Sequence, residues 1–156
     1  HGITLMAPAG TDGLLAGLAA AFLGEPVPPD PAGLTLLAVV GAHRTGHPLH
    51  PQLAALGAVR HGLAYTAPVY RLHDLGDRPG MIRRTPGERI EVELHRVTPE
   101  ALGRLLVSIP PPLGLGTVEL DDGRRVHGFL CEPHALADAP DITAYRSWPA
   151  YLASRG

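Results

Sequence analysis

Residues able to do chemistry are concentrated in one short segment, Gly41-Ala42-His43-Arg44-Thr45-Gly46-His47-Pro48-Leu49. It follows the run Leu34–Val40, apolar but for Thr35, which suits a strand buried on both faces. A strand running into Gly41 exposes backbone N–H groups at its end. Such clusters bind anions, and a glycine lets a ligand come close to the backbone. His43 follows directly, and its side chain titrates near neutrality, so it is suited to act as general acid or base. The bland alternative is a tight turn carrying a solvated histidine. His43, His47 and His50 also raise a zinc reading, because a spacing of four puts two histidines on one helix face. Pro48 would break a helix across this segment, and no acid lies within it. A polar loop without metal is therefore expected.

Three more groups bear on the same chemistry. Glu91 and Glu93 alternate with Ile90, Val92 and Leu94 along Arg89–Arg96, so both carboxylates share one face of a strand. Like charges about 7 Å apart push one pKa up, as paired-carboxylate catalysis requires. In a closed barrel Glu93 would point inward and become a site residue; on an open face it would be solvated. Arg83 follows the Pro79-Gly80 turn and would either clamp a carboxylate bidentately or form a surface ion pair. Cys131 is the single cysteine and has no histidine beside it, so it reads as a structural thiol rather than a nucleophile. These residues together point to a pocket for a small anion, with no cofactor.

Composition narrows the chemistry further. All 13 basic residues are arginine. The absence of lysine excludes Schiff-base catalysis, a phosphate-binding loop with its lysine, and a Ser–Lys pair. Net charge is −2, with no basic stripe for nucleic acid or a lipid surface. A lone cysteine forms no intrachain disulfide and suits a reducing, cytoplasmic compartment. No apolar run approaches the roughly 18 residues of a membrane span. Gly13–Leu23 is apolar but lacks the charged leading region of a signal peptide. The chain begins at His1 rather than Met, so it is expected to be a processed, tagged or truncated piece.

The elements that must position these groups can be read from pattern. Its 156 residues amount to about one domain. The 19 glycines and 17 prolines would suggest disorder, but 45% hydrophobic and 18% charged residues argue for a packed core. Residues 2–23 read as a short strand, a turn and a helix, and residues 24–33 as a stiff Pro-rich linker. Beyond it, Pro51–Leu56 reads as a short helix. Gly57–Thr66, Val69–Leu75, Met81–Arg83 and Arg89–Arg96 read as strands. Thr98-Pro99-Glu100 starts a helix with an N-cap, a proline and an acid in the first turn. Its apolar face is Leu102, Leu105, Leu106 and Ile109, and Pro110–Pro112 stop it. Thr117–Leu120 and Arg125–Cys131 form a hairpin about Asp121-Asp122-Gly123. Ser147-Trp148-Pro149 starts a terminal helix. The order of elements implies an α+β fold, a small mixed β-barrel with flanking helices.

Several stretches resemble one family. Leu37–Leu49, Thr66–Leu72, Pro79–Arg83, Ile109–Leu120, Gly128–Glu132 and Asp141–Tyr145 resemble, in order and spacing, the C-terminal domain of allophanate hydrolase. Residues 2–23 resemble the tail of the preceding amidase-signature domain. The resemblance implies three segments: an amidase tail at 1–23, a linker at 24–33 and the C-terminal domain at 34–156. It also implies a γ-glutamylcyclotransferase-like fold. The place of the cyclotransferase glutamate falls near Ile109, so that activity is not expected. The family implies decarboxylation of N-carboxycarbamate in urea and allophanate degradation, with the amidase step left to a Ser–Ser–Lys triad that a lysine-free chain does not hold. Carried onto this sequence, the resemblance suggests His43 as proton donor, with Glu93 as a second catalytic or orienting group. Gly41, Ala42, Tyr70 and Arg83 would bind the small anionic substrate. The expected partner is an amidase domain in the same polypeptide, and a homodimer is admitted; neither nucleic acid nor membrane is expected. Two other readings stay open, a non-catalytic domain supporting a dimer or the amidase, and a small-carboxylate binding module.

Overall fold

A computed structural model describes residues 33–156; the expected amidase tail and most of the linker lie outside the described residues. Strand β1 (Thr35–Val39) is the centre of a five-stranded sheet. It pairs antiparallel with β5 (Glu91–Val97) and parallel with β7 (Arg125–Cys131). Strands β2 (Val59–Tyr65) and β6 (Leu113–Glu119) are the outer members, giving the order β2-β5-β1-β7-β6. Just past β2, Thr66 bridges Leu120 at the end of β6, so the sheet curls until its two edges touch. A ribbon of β3 (Tyr70–Asp74) and β4 (Pro79–Arg83) completes the wall. The architecture is the small α+β barrel-like fold that the pattern implied, closed by one bridge rather than by a full ladder.

The run Leu34–Val40 is apolar at every position but Thr35 because both faces of β1 are covered. Ala38 and Val40 face an interior made with Leu72, Ile90, Val92, Val118 and Trp148. Leu37 and Val39 face the other way, onto Leu53, Ala101, Leu105 and Phe129. Leu53 belongs to helix α1 (His50–Ala55), and Ala101 and Leu105 to helix α2 (Pro99–Ser108). The Thr98 hydroxyl accepts from the Ala101 amide at 3.1 Å, capping α2 as its sequence required.

Two expectations need correction. Helical spacing puts Leu106 on the apolar face of α2, yet it is half exposed and its neighbour Val107 is almost fully exposed; the helix buries only Ala101 and Leu105, with Leu102 and Ile109 packed part-buried beside them, a narrower stripe. Strand β6 begins at Leu113, not Thr117, because Gly114 and Gly116 pair opposite Leu130 and Gly128 on β7. A Cβ at Gly116 would stand 2.8 Å from Leu130 Cδ1, so this glycine makes room for the partner strand's side chain, whereas Gly114 has open space around it. Helix α3 (Trp148–Arg155) buries Trp148 and is capped by the Ser147 hydroxyl, which accepts from the Ala150 amide at 3.3 Å. No described helix is long and apolar enough to cross a membrane.

Candidate functional site

The end of β1 opens into a cavity of about 260 Å³. Gly41, Ala42 and His43 form one side of it, Arg78 and Pro79 another, and Gln52, Ser108 and Phe129 a third. The loop is held in shape by its own bonds. Arg44 N donates to Gly41 O at 2.9 Å and Leu49 N to Ala42 O at 2.8 Å. The amides of Gly41, Ala42 and His43 have no protein acceptor among the described residues. They are the free donors that an anion needs.

His43 is fixed on two sides. Its ring stacks on Phe129, centroid to centroid 4.9 Å and 18° from parallel. Its Nε2 lies 2.8 Å from Gln52 Oε1. Burial lowers the pKa of His43 below the usual histidine value, the bond from Gln52 opposes this, and Arg78, His50 and His95 add to the lowering. The imidazole is therefore neutral at rest near pH 7.

The cation at the site is Arg78, which sequence reasoning missed. Its Nε and one terminal nitrogen hold Asp77 at 2.9 and 2.8 Å. Among the described residues, no aspartate or glutamate lines the cavity. The signal was available in the Arg78-Pro79-Gly80 turn. Pro79 occupies the space where a Cβ on residue 41 would stand, so the turn is pressed onto the loop and Arg78 comes with it. Gly41 is thus needed for the close approach of Pro79.

Tyr70 and Arg83 are placed elsewhere. They pair across the far end of the ribbon, about 13 Å along the strands from Pro79. Tyr70 is fully buried, and its hydroxyl accepts from the Glu119 amide at 2.9 Å and from Arg83 at 3.4 Å. Arg83 also pairs with Glu119 at 3.5 Å. This cluster fastens the ribbon to β6 and contributes nothing to the cavity lining.

Glu93 is not a raised-pKa acid. Its side chain is buried behind the loop, where Oε1 accepts from the Thr45 amide at 2.8 Å, the Thr45 hydroxyl at 2.9 Å and His95 Nε2 at 2.7 Å. Arg60 Nε reaches Oε2 at 3.1 Å. Burial alone would push this carboxyl up; those donors hold it down at about 2. The expected repulsion between Glu91 and Glu93 is absent because each has its own cation: Glu91 pairs with Arg44 at 2.7 Å. Both carboxylates brace the loop that carries His43. His50 Nδ1 donates to His43 O at 3.3 Å, which adds a third brace. Among the described residues, no group of three or more His, Cys, Asp or Glu is arranged to hold a metal. Cys131 is buried, and burial with nearby Glu132 raises its pKa.

Comparison with known proteins identifies the family. Urea amidolyase from Saccharomyces cerevisiae is 36% identical over 132 residues, 79% of this chain but only 7% of that protein. The solved allophanate hydrolase of Kluyveromyces lactis superposes with a TM-score of 0.76 at 32% identity, covering 79% of this chain and 22% of that one. A uropathogenic E. coli-specific protein of known structure gives a TM-score of 0.74 at 34% identity, covering 77% of this chain and 96% of that one. The chain thus spans a small fraction of the curated relatives it matches. A family profile described as allophanate hydrolase C-terminal domain matches residues 35–153, and this chain belongs to that family.

Proposed function

We propose that the cavity binds N-carboxycarbamate and promotes its decarboxylation, as the C-terminal part of a longer polypeptide that also carries an amidase. The observation that carries this reading is the pairing of the Gly41–His43 amides with Arg78 in a cavity that, among the described residues, gives these amides no acceptor and has no carboxylate in its lining. A compact dianion has two carboxylates to place. One lies against the loop amides and the other against the free edge of the Arg78 guanidinium. The resting neutral His43 takes up a proton as the anion arrives, because a nearby negative charge favours imidazolium. It then delivers that proton to the substrate nitrogen. The C–N bond breaks, its electron pair stays on the protonated nitrogen, and carbon dioxide and carbamate leave; a second proton releases ammonia and the second carbon dioxide. Without that protonation the leaving group would be a poor nitrogen anion. Glu93 and Tyr70 take no part in the transfer; Glu93 braces the loop.

The test is carbon dioxide release from freshly generated N-carboxycarbamate with this chain added. Wild type should exceed the buffer rate, and His43→Ala should return it to that rate, a loss of at least about 10²-fold. Arg78→Gln should raise KM more than it lowers kcat. A wild-type rate equal to buffer overturns the reading. Carboxylate binding without turnover would then favour a binding module.

A further inference from the structure

Among the residues around the cavity, the polar chain behind His43 says most about how the site works. Helix α2 ends at Ser108 because Pro110–Pro112 follow. The Ile109 amide turns back to Leu106 O at 3.3 Å. The Leu105 carbonyl is met instead by the Ser108 hydroxyl at 2.7 Å. A carbonyl only accepts, so that bond consumes the hydroxyl proton of Ser108. Ser108 Oγ is then an acceptor, and it receives Gln52 Nε2 at 3.1 Å. This fixes the Gln52 amide with Oε1 toward His43. An oxygen at 2.8 Å from His43 Nε2 requires a proton on Nε2. In the neutral ring the lone pair must therefore sit on Nδ1, which has no partner among the described residues. Stacking on Phe129 fixes the ring plane.

We propose that Gln52 and Ser108, anchored on the Leu105 carbonyl in the last turn of helix α2, hold His43 as the Nε2–H tautomer and make Nδ1 the atom through which the cavity exchanges protons with an anionic ligand. Gln52 and Ser108 are positioning residues: they act through His43. The role in turnover rests on the reading of the cavity given above, whereas the tautomer does not. The charged and titratable groups facing His43 are Arg78 before β4, His50 on α1 and His95 on β5. None of them sits on the Gln52 side chain, so a change at Gln52 is read through its bond to His43.

The experiment is nitrogen NMR of the histidine rings in this chain, with His43 assigned by the signals lost in His43→Ala. Above its titration, wild-type His43 should show a protonated Nε2 and a bare Nδ1. Gln52→Glu should keep that tautomer and raise the pKa by about one unit, because a carboxylate accepts the same bond with a full charge. Gln52→Leu should lower the pKa and give a mixture of tautomers. Ser108→Ala should move toward the same mixture, since the Gln52 amide is then free to turn. Both side chains are exposed, so these variants should fold. A proton on Nδ1 in wild type overturns the proposal, and so does a tautomer and pKa unchanged in Gln52→Leu. If carbon dioxide release is found, its pH profile should follow the Gln52→Glu shift. A chain with the Nε2–H tautomer and no turnover would overturn the decarboxylase reading alone.

Discussion

Glu93 illustrates how a buried carboxylate becomes structural. Burial favours its neutral form, yet the Thr45 amide, His95, Arg60 and the Thr45 hydroxyl all donate to the charged one, and the balance holds it at about 2 against an ordinary 4.5. The lowered folded-state pKa means the unfolded chain binds the proton first as pH falls. The stabilisation is therefore complete above the ordinary value and is lost on acidification toward pH 2. Its upper bound is about 3 kcal/mol by linkage. Urea melts from pH 6 down to pH 3 should show Glu93→Gln losing less stability than wild type over that window; parallel curves would mean that Glu93 is not clamped. The sequence places Glu93 correctly on one face of its strand. Its partners could not be read there: Thr45 and Arg60 arrive from other elements, and only the fold shows that the Glu91 charge is already neutralised by Arg44. Arg83 stands apart from the cavity for the same kind of reason, since Arg78 lies just before β4 and Arg83 at its far end.

At the scale of elements, the contact between the β1 loop and the β3–β4 ribbon builds the cavity. Gly41 and Pro79 meet so closely that a methyl group on residue 41 would collide with the proline ring. Gly41→Ala should therefore cost roughly 1–3 kcal/mol and push Arg78 away from His43. Gly46, in the same loop, has open space around it and a φ of +86°. There an alanine pays only conformational strain, about 1 kcal/mol. Thermal melts should rank Gly41→Ala below Gly46→Ala, and an inverted order would show that the Pro79 contact yields easily. Elements with strong local signals were legible: the β1 run, the alternation in β5, the Thr98 cap, and the β6–β7 turn, where Gly123 has a φ of +90°. The start of β6 was not, because Gly114 and Gly116 carry no strand signal of their own; both are strand residues through pairing with β7, and only Gly116 is also required by the Leu130 side chain. The narrow contact of α2 was equally hidden, since helical spacing does not say how much of an apolar face the sheet will cover.

For the whole molecule, the decisive feature is where the curled sheet meets itself. Thr66 is fully buried at this seam. Its hydroxyl accepts from the Ile90 amide at 2.9 Å and donates to Ala67 O at 2.9 Å. Next to it, the Ala67 amide reaches Glu119 O at 2.9 Å, and the Asp121 amide reaches Tyr65 O at 2.9 Å. One side chain thus ties the start of β5 to the segment that joins β2 and β6. Thr66→Val keeps the shape but leaves the Ile90 amide buried without an acceptor, a loss of about 1–3 kcal/mol. The seam lies at Leu120, whereas the cavity lies at Leu113 at the other end of β6, roughly 20 Å along the strand. Thr66→Val should therefore lower the urea midpoint with an unchanged m-value while leaving the His43 titration where it was. A changed His43 pKa in this variant would mean that closure of the sheet, and not the local bracing by Glu91, Glu93 and His50, sets the geometry of the loop. The two outcomes separate a barrel that only carries its site from one whose closure shapes it.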